Sequence, residues 1–383
     1  MKILHAIASI DPSYGGPAFA LRGLLGELDK QGVRQTILTC SQGRKKDVCN
    51  EKHFTGADII WSTPLVSRYF WSPFLPSKLK KLLKRYDVVH VHGLFNGLVY
   101  DVCRNSAGMS VPYIIRPFGT MSAYCMKKSR LKKRCSLFFG EKSNIEKAGA
   151  IHFTTIAEKI RAQDNFKFGY SFVIPNGIDH EFLYKKTGNR NPERKNETVF
   201  LFLGRVSPIK GLDVFIPAFM KWAKNQKGSR PVLIIAGPEE EHYKTALNNY
   251  LNKDKEQPSV VFKGPVYGEK KKEVLQQADA VVLPSYHENF GMSIIEGMSC
   301  GKPVLVSDKV DLSGEIEKHS AGRVFSLEEV SICRELDSFV AQKNEWKDMG
   351  ESGMEWVRKH CDWGIIGRKI LSEYEKVIKK ATE

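Results

Sequence analysis

Two glutamates eight residues apart, Glu288 and Glu296, lie in the stretch Pro284-Ser285-Tyr286-His287-Glu288-Asn289-Phe290-Gly291-Met292-Ser293-Ile294-Ile295-Glu296. The stretch follows a short apolar run, Ala280-Val281-Val282-Leu283, which reads as a buried strand. A helix starting near Phe290 would leave Glu288 in the loop and present the amides of Phe290 to Ser293 as an anion site. Glu296 would then sit about 80° round and about 12 Å further along the axis. That suits two hydroxyl groups at different ends of an extended ligand. It does not suit the carboxylate pair of a glycoside hydrolase, which needs about 5 to 9.5 Å. The plainer reading is an acid favoured at a helix start and an acid on a surface.

Three other loops carry comparable chemistry. Gly204-Arg205 ends the apolar run Val199 to Leu203, and Lys210-Gly211 follows five residues after the arginine. A guanidinium fork and an ammonium point charge in one loop can clamp a diphosphate; they can also be two solvated cations. Tyr14-Gly15-Gly16-Pro17 follows the first apolar run, Ile3 to Ala8, and Pro17 suits a first helical turn. Its glycines would let backbone approach a phosphate or would serve a turn with positive φ. His90-Val91-His92-Gly93 places two histidines on one strand face. His90 reads as a satisfied core residue, and His92, at the strand end beside Gly93, as a functional one. No Asp-x-Asp occurs, and no His/Cys ligand spacing is visible. A leaving diphosphate would therefore meet Arg205, Lys210 and helix amides, with no metal.

The elements that would position these loops alternate as apolar strands and amphipathic helices, the pattern of βα units on parallel sheets. Further strands are expected at Ile37–Thr39, Asp87–His92, Pro112–Ile115, Ile151–Phe153, Ser171–Ile174, Pro231–Ala236, Val260–Phe262 and Val304–Val306. Leu212 to Ala223 reads as a helix bent at Pro217, and the tail from about Ser326 as helical with a break near Asp362. The polar stretch 186–198 reads as a linker. It divides a first domain, 1–185, from a second, 199–360, and a last helix, 361–383, is expected to pack back on the first domain.

With 383 residues the chain is long enough for two cores. No run approaches the roughly 18 apolar residues of a membrane span. The apolar start breaks at Asp11-Pro12, so it reads as a strand and not a signal peptide. Eight scattered cysteines without a CxxC pair point to a reducing, cytoplasmic compartment. The net charge of +16 asks for a polyanionic partner. One basic cluster is Lys78, Lys80, Lys81, Lys84 and Arg85; a denser one is Lys127, Lys128, Arg130, Lys132, Lys133 and Arg134. On a helix Leu131, Cys135 and Phe138 would form an apolar stripe beside the second cluster. Such a segment would dock on the anionic inner face of a membrane, unless the stripe packs into its own domain and the cations solvate it.

Taken together these residues resemble the retaining glycosyltransferases of family 4, the group 1 glycosyltransferases. The resemblance rests on the Gly15-Gly16 loop, His90-Val91-His92-Gly93-Leu94-Phe95, Arg116-Pro117-Phe118-Gly119-Thr120-Met121, Pro175-Asn176-Gly177-Ile178-Asp179, the Gly204/Arg205/Lys210 loop and the two glutamates. It implies the α/β GT-B fold, two Rossmann-like doubly wound domains facing each other across a cleft. It implies transfer of a sugar from a UDP- or GDP-sugar to a hydroxyl of a glycan or lipid-linked acceptor, with retention, and no cofactor or metal. Arg205, Lys210 and the backbone of Gly15, Gly16, Phe290, Gly291 and Met292 would hold the diphosphate, and Glu296 the ribose. Glu288 would hold the transferred sugar, His92 would sit at the anomeric centre, Pro265 and Val266 would take the base, and Arg116 would face the acceptor. A nucleotide-sugar epimerase shares the architecture but would not be expected to carry this pair of glutamates. A basic polyanion-binding protein is the other rival, and no nucleic-acid module is present.

Overall fold

The computed structural model describes residues 1–11, 15–41, 54, 56–73, 75–127, 129–178, 196–251 and 260–383. Tyr14, Lys128, Asp179 and the linker residues 186–195 lie outside them. The chain forms two compact units, Met1–Gly177 with Trp363–Glu383, and Ile178–Asp362.

The first unit is built on strands β1 (Lys2–Ile7), β2 (Arg34–Cys40), β3 (Ala57–Ser62), β4 (Val88–His92), β5 (Tyr113–Arg116), β6 (Ala150–Phe153) and β7 (Ser171–Val173). They form one sheet in the order β3-β2-β1-β4-β5-β6-β7, with parallel pairing throughout. Both faces are covered, which is why β1 and β4 read as nearly unbroken apolar runs. One face packs under α2 (Leu75–Leu83) and α3 (Gly97–Gly108); Leu79, Leu83, Leu98 and Val102 join Val89, Val91 and Ile115 there. The other packs under α1 (Gly16–Lys30) and α15 (Trp363–Thr382), with Leu24, Leu28, Ile366, Ile370 and Tyr374 around Ile3, Val88 and Ile114. Gly23 is what lets α1 and α15 meet. A Cβ there would lie 2.3 Å from the Trp363 ring, so only glycine fits.

The second unit carries β8 (Glu197–Leu203), β9 (Arg230–Ala236), β10 (Val260–Gly264), β11 (Ala280–Leu283), β12 (Val304–Ser307) and β13 (Gly322–Phe325), in the order β10-β9-β8-β11-β12-β13. Its helices include α8 (Leu212–Lys224), α10 (Gly268–Gln277), α11 (Met292–Ser299), α13 (Glu329–Ala341) and α14 (Trp346–His360). In each unit the order reverses beside the first strand, between β1 and β4 and between β8 and β11. Ligands of doubly wound sheets sit beyond the strand ends at that point. The four loops singled out in the sequence follow these four strands.

Several elements differ from expectation. β3 and β13 were not foreseen, because Ala57–Ser62 is only partly buried and Gly322–Phe325 opens on a glycine. β8 begins at Glu197, inside the stretch expected as linker, since Thr198 is buried against the sheet. α8 continues through Pro217, which gives up one backbone bond without ending the helix. α11 starts at Met292 with Gly291 as N-cap, two residues beyond Phe290. Glu296 therefore lies one turn into the helix, and the projected two-turn separation from Glu288 does not hold.

Candidate functional site

In the second unit the loops after β8 and β11 are bonded to each other. The amide of Tyr286 donates to Ile209 O at 2.8 Å. Gly211, with φ of 66°, presses so close that a Cβ would lie 1.9 Å from Pro284 O. These contacts carry Lys210, at the end of the short 3-10 turn Pro208–Lys210, to Glu288, and Lys210 Nζ donates to Glu288 Oε2. Both side chains are mostly buried, at 20% and 18% exposure, so the pair is partly shielded from water. The Glu288 backbone is held as well. Its amide donates to Lys309 O at 3.2 Å and its carbonyl accepts from Asp311 N at 3.0 Å. Beneath the loop, Asp213 accepts from Tyr243 Oη at 2.7 Å and Tyr286 Oη at 3.0 Å. Burial, and its own bond to the Asp213 carboxylate, raise the Tyr243 hydroxyl well above the usual phenol range.

On α11 the amides of Ile294 and Ile295 bond to Gly291 O. Glu296 is buried and accepts from Lys271 Nζ, on α10, at 2.5 Å. Arg205 is exposed, Phe290 and Gly291 are buried, and Met292 is half-buried. Pro265 is exposed and Val266 packs its side chain on the core. The second unit thus brings Lys210 together with Glu288, and Glu296 with Lys271; sequence reading missed Lys271 and Asp213.

In the first unit the strands assemble a buried cluster of four histidines. His5 (β1), His90 and His92 (β4) and His152 (β6) are all fully buried. His152 Nε2 lies 2.8 Å from Ile174 O, a pure acceptor, so that nitrogen carries the proton. His152 Nδ1 must then accept from His90 Nε2 at 3.4 Å. His90 Nδ1 in turn accepts from Tyr374 Oη at 2.7 Å. His5 Nδ1 and His92 Nε2 are 3.2 Å apart, and His92 Nδ1 has no partner among the described residues. Burial drives the imidazoles toward the neutral form, His5 down to about 3, and the guanidinium of Arg116 adds to the effect. His90 is the satisfied core residue expected; His92 is buried with it.

Arg116 is also fully buried. It donates to Asn176 Oδ1 and lies 4.8 Å from the Phe118 ring centre, beneath the loop that follows β5. Desolvation lowers it to about 10. Gly15 is half-buried with φ of 88° and caps α1, while Gly16 is exposed.

Three of these histidines, on β1 and β4, come close enough to be weighed as a ligand set. His5, His90 and His92 each offer a ring nitrogen within 4.8 Å of the others. Their surroundings do not favour a cation. The set contains no carboxylate and the Arg116 charge acts on every ring.

Residues 14–182 match the family Glycosyltransferase Family 4, and residues 185–356 match Glycosyl transferases group 1. The chain belongs to the family 4, group 1 glycosyltransferases. This glycosyltransferase is 25% identical to an uncharacterised glycosyltransferase of Methanocaldococcus jannaschii over 94% of each chain. It is 26% identical to the D-inositol 3-phosphate glycosyltransferase of Nocardia farcinica, over 78% of this chain and 69% of that one. The crystal structure of Anabaena HepE in complex with UDP superposes with a TM-score of 0.79 at 18% identity, covering 98% of this chain and 100% of that one. The fold of this glycosyltransferase is GT-B.

Proposed function

We propose that this glycosyltransferase moves a sugar from a UDP- or GDP-sugar to a hydroxyl of a glycan or lipid-linked acceptor, in cell-surface polysaccharide or glycoconjugate synthesis at the cytoplasmic face of a membrane. The observation that carries the reading is the contact between Lys210 and Glu288 at the switch point of the second sheet. It sets a cation for a diphosphate beside an acid for a sugar hydroxyl, just before the N-terminus of α11. The UDP bound by HepE supports the choice of a nucleotide-sugar, with uridine the first base to test.

In this reading Arg205, Lys210 and the amides of Phe290, Gly291 and Met292 neutralise the diphosphate, with help from the backbone of Gly15 and Gly16. Glu296 accepts from the ribose hydroxyls, and the backbone of Pro265 and Val266 takes the base. Glu288 orients the transferred sugar. His92 serves the anomeric centre, and Arg116 serves the acceptor side through the loop it supports. The acceptor oxygen attacks the anomeric carbon from the face the diphosphate leaves. The bond to the departing phosphate oxygen breaks, that oxygen takes the acceptor proton, and configuration is retained. Cations and helix amides meet the leaving charge without a metal.

Thermal-shift titration with UDP, GDP and ADP, followed by proton NMR of the product's anomeric signal, tests this. Stabilisation by one diphosphate, an unchanged anomer and equal rates with and without a chelator are expected. An inverted anomer, or activity lost to the chelator and restored by manganese, would overturn the corresponding part.

A further inference from the structure

The basic segment comprises α4 (Ala123–Lys127), α5 (Arg130–Ser136), a wide π-turn at Leu137–Glu141 and α6 (Lys142–Glu146). Ser129, at φ 58°, and Gly140, at φ 129°, make the breaks. No residue of α4 or α5 is buried, so the stripe does not pack into its own unit. Leu131 is 79% exposed, Phe138 85% and Phe139 71%. Isolated exposed apolar residues are ordinary; three large ones within nine residues are not.

A second exposed segment is bonded to the first. Lys132 Nζ on α5 donates to Tyr69 Oη at 2.9 Å, and the same ammonium lies 5.6 Å from the Tyr69 ring centre. Tyr69 ends a short turn, Ser67–Tyr69, bracketed by Val66 and Trp71, which are paired through their backbones. Leu65 is 70% exposed, and Val66, Tyr69 and Trp71 are exposed as well. Two segments some sixty residues apart, joined by the contact of Lys132 with Tyr69, thus leave Leu65, Trp71, Leu131, Phe138 and Phe139 exposed. From Ala123 to Gly140 there are six cations and no acid.

We propose that these two segments together form a docking surface for an anionic lipid bilayer. The apolar side chains enter the interface, Tyr69 and Trp71 sit at headgroup level, and Lys127, Arg130, Lys132 and Arg134 meet the phosphates. A bilayer fits better than a soluble polyanion, because a polyanion gives no reason to expose leucine and phenylalanine among the cations. The surface deepens the proposed reading of an acceptor held at a membrane. Its test uses neither donor nor acceptor, so its failure and the failure of the transferase reading are separate results.

The full chain is co-sedimented with vesicles of phosphatidylcholine alone and of phosphatidylcholine with phosphatidylglycerol, and applied in parallel to heparin beads. Two variants accompany it, Lys127→Gln/Arg130→Gln/Arg134→Gln and Leu131→Ser/Phe138→Ser/Phe139→Ser, each checked for an unchanged melting temperature. Binding should need phosphatidylglycerol and weaken with salt. Each cation near the surface contributes about fivefold, so the charge variant should lose at least about tenfold in partition. The apolar variant should lose a similar factor on vesicles and keep its binding to heparin. If a variant melts early, single changes Phe138→Ser and Arg134→Gln are read instead, each with a smaller loss expected. Equal binding to neutral vesicles, or an apolar variant that binds anionic vesicles as well as the parent, overturns the proposal; the latter assigns the patch to soluble polyanions.

Discussion

Lys271 Nζ lies 2.5 Å from Glu296 Oε1, and both side chains are largely shielded, at 25% and 11% exposure. A buried carboxylate with a bonded ammonium has its rotamer fixed before any ligand arrives. Glu296 is proposed to grip the donor ribose, so Lys271 acts through it. Glu296→Ala should lower kcat/KM by at least about a hundredfold, with the circular dichroism spectrum intact. Lys271→Met should raise the donor KM about tenfold and leave kcat nearly unchanged, with Lys271→Arg recovering part of the loss. The double variant should cost less than the product of the two, because the residues form one unit. Multiplicative losses in steady-state kinetics would separate them.

Lys210 and Glu288 form the other pair. A charged hydrogen bond lost at a leaving diphosphate costs about 1.5 to 3 kcal/mol. Lys210→Ala removes that contact and also strands the Glu288 charge, so at least about a hundredfold should go from kcat/KM. Glu288→Gln keeps the shape of the pair and should act mainly on kcat. Near-parental rates for both, in variants with unchanged melting curves, would take the pair out of the site.

Gly211→Ala tests how the pair is held. The added methyl would meet Pro284 O, and the φ of 66° is unfavourable for alanine. Destabilisation of at least about 2 kcal/mol is expected. Weaker diphosphate binding should accompany it, because Lys210 is displaced with the loop. Denaturant unfolding and a UDP titration read the two effects separately.

The four buried histidines set the acid response of the first unit. Their folded values are lowered, His5 to about 3, against an ordinary value of 6.5. Below about pH 6.5 the unfolded chain takes up protons that the folded chain refuses, so stability falls with pH through that window down toward about 3. Each imidazole contributes up to about 1.4 kcal/mol per pH unit, and four give an upper bound of about 5.5 kcal/mol per pH unit. Glu141, raised to about 7, and Asp101, raised to about 6, take up protons in the folded chain and partly oppose this loss, so the urea midpoint should drop between about pH 6.5 and 5 by less than four histidines alone would give. A flat midpoint there would show that the rings protonate in place.

Much of this was legible in the chain. Strands buried on both faces announce themselves as apolar runs, so β1, β4, β8 and β11 and the loops after them could be located. The loops are proposed as the site because the sheet order reverses there, and the order itself carries no local signal. For the same reason His5 and His152 went unrecognised. Each lies on a strand that was identified, but only the neighbour order β1-β4-β5-β6 brings them to His90. Lys271 looked like one of three consecutive lysines, Lys270 to Lys272, and nothing in spacing separates it from the other two. Burial of Arg116 was hidden because it stands in a motif whose other members are at a loop.

The chain leaves the first unit after Gly177 and returns to it at Trp363. During synthesis, at about 5 to 20 residues per second, roughly ten to forty seconds pass between those two points. Throughout that interval Leu24 and Leu28 lack the helix that covers them, the notch at Gly23 is empty, and His90 has no hydroxyl to accept from. The second unit, contiguous from Ile178 to Asp362, has all its residues earlier than the first unit does. The part translated first is thus completed last, and its uncovered face is where a nascent-chain chaperone would find purchase.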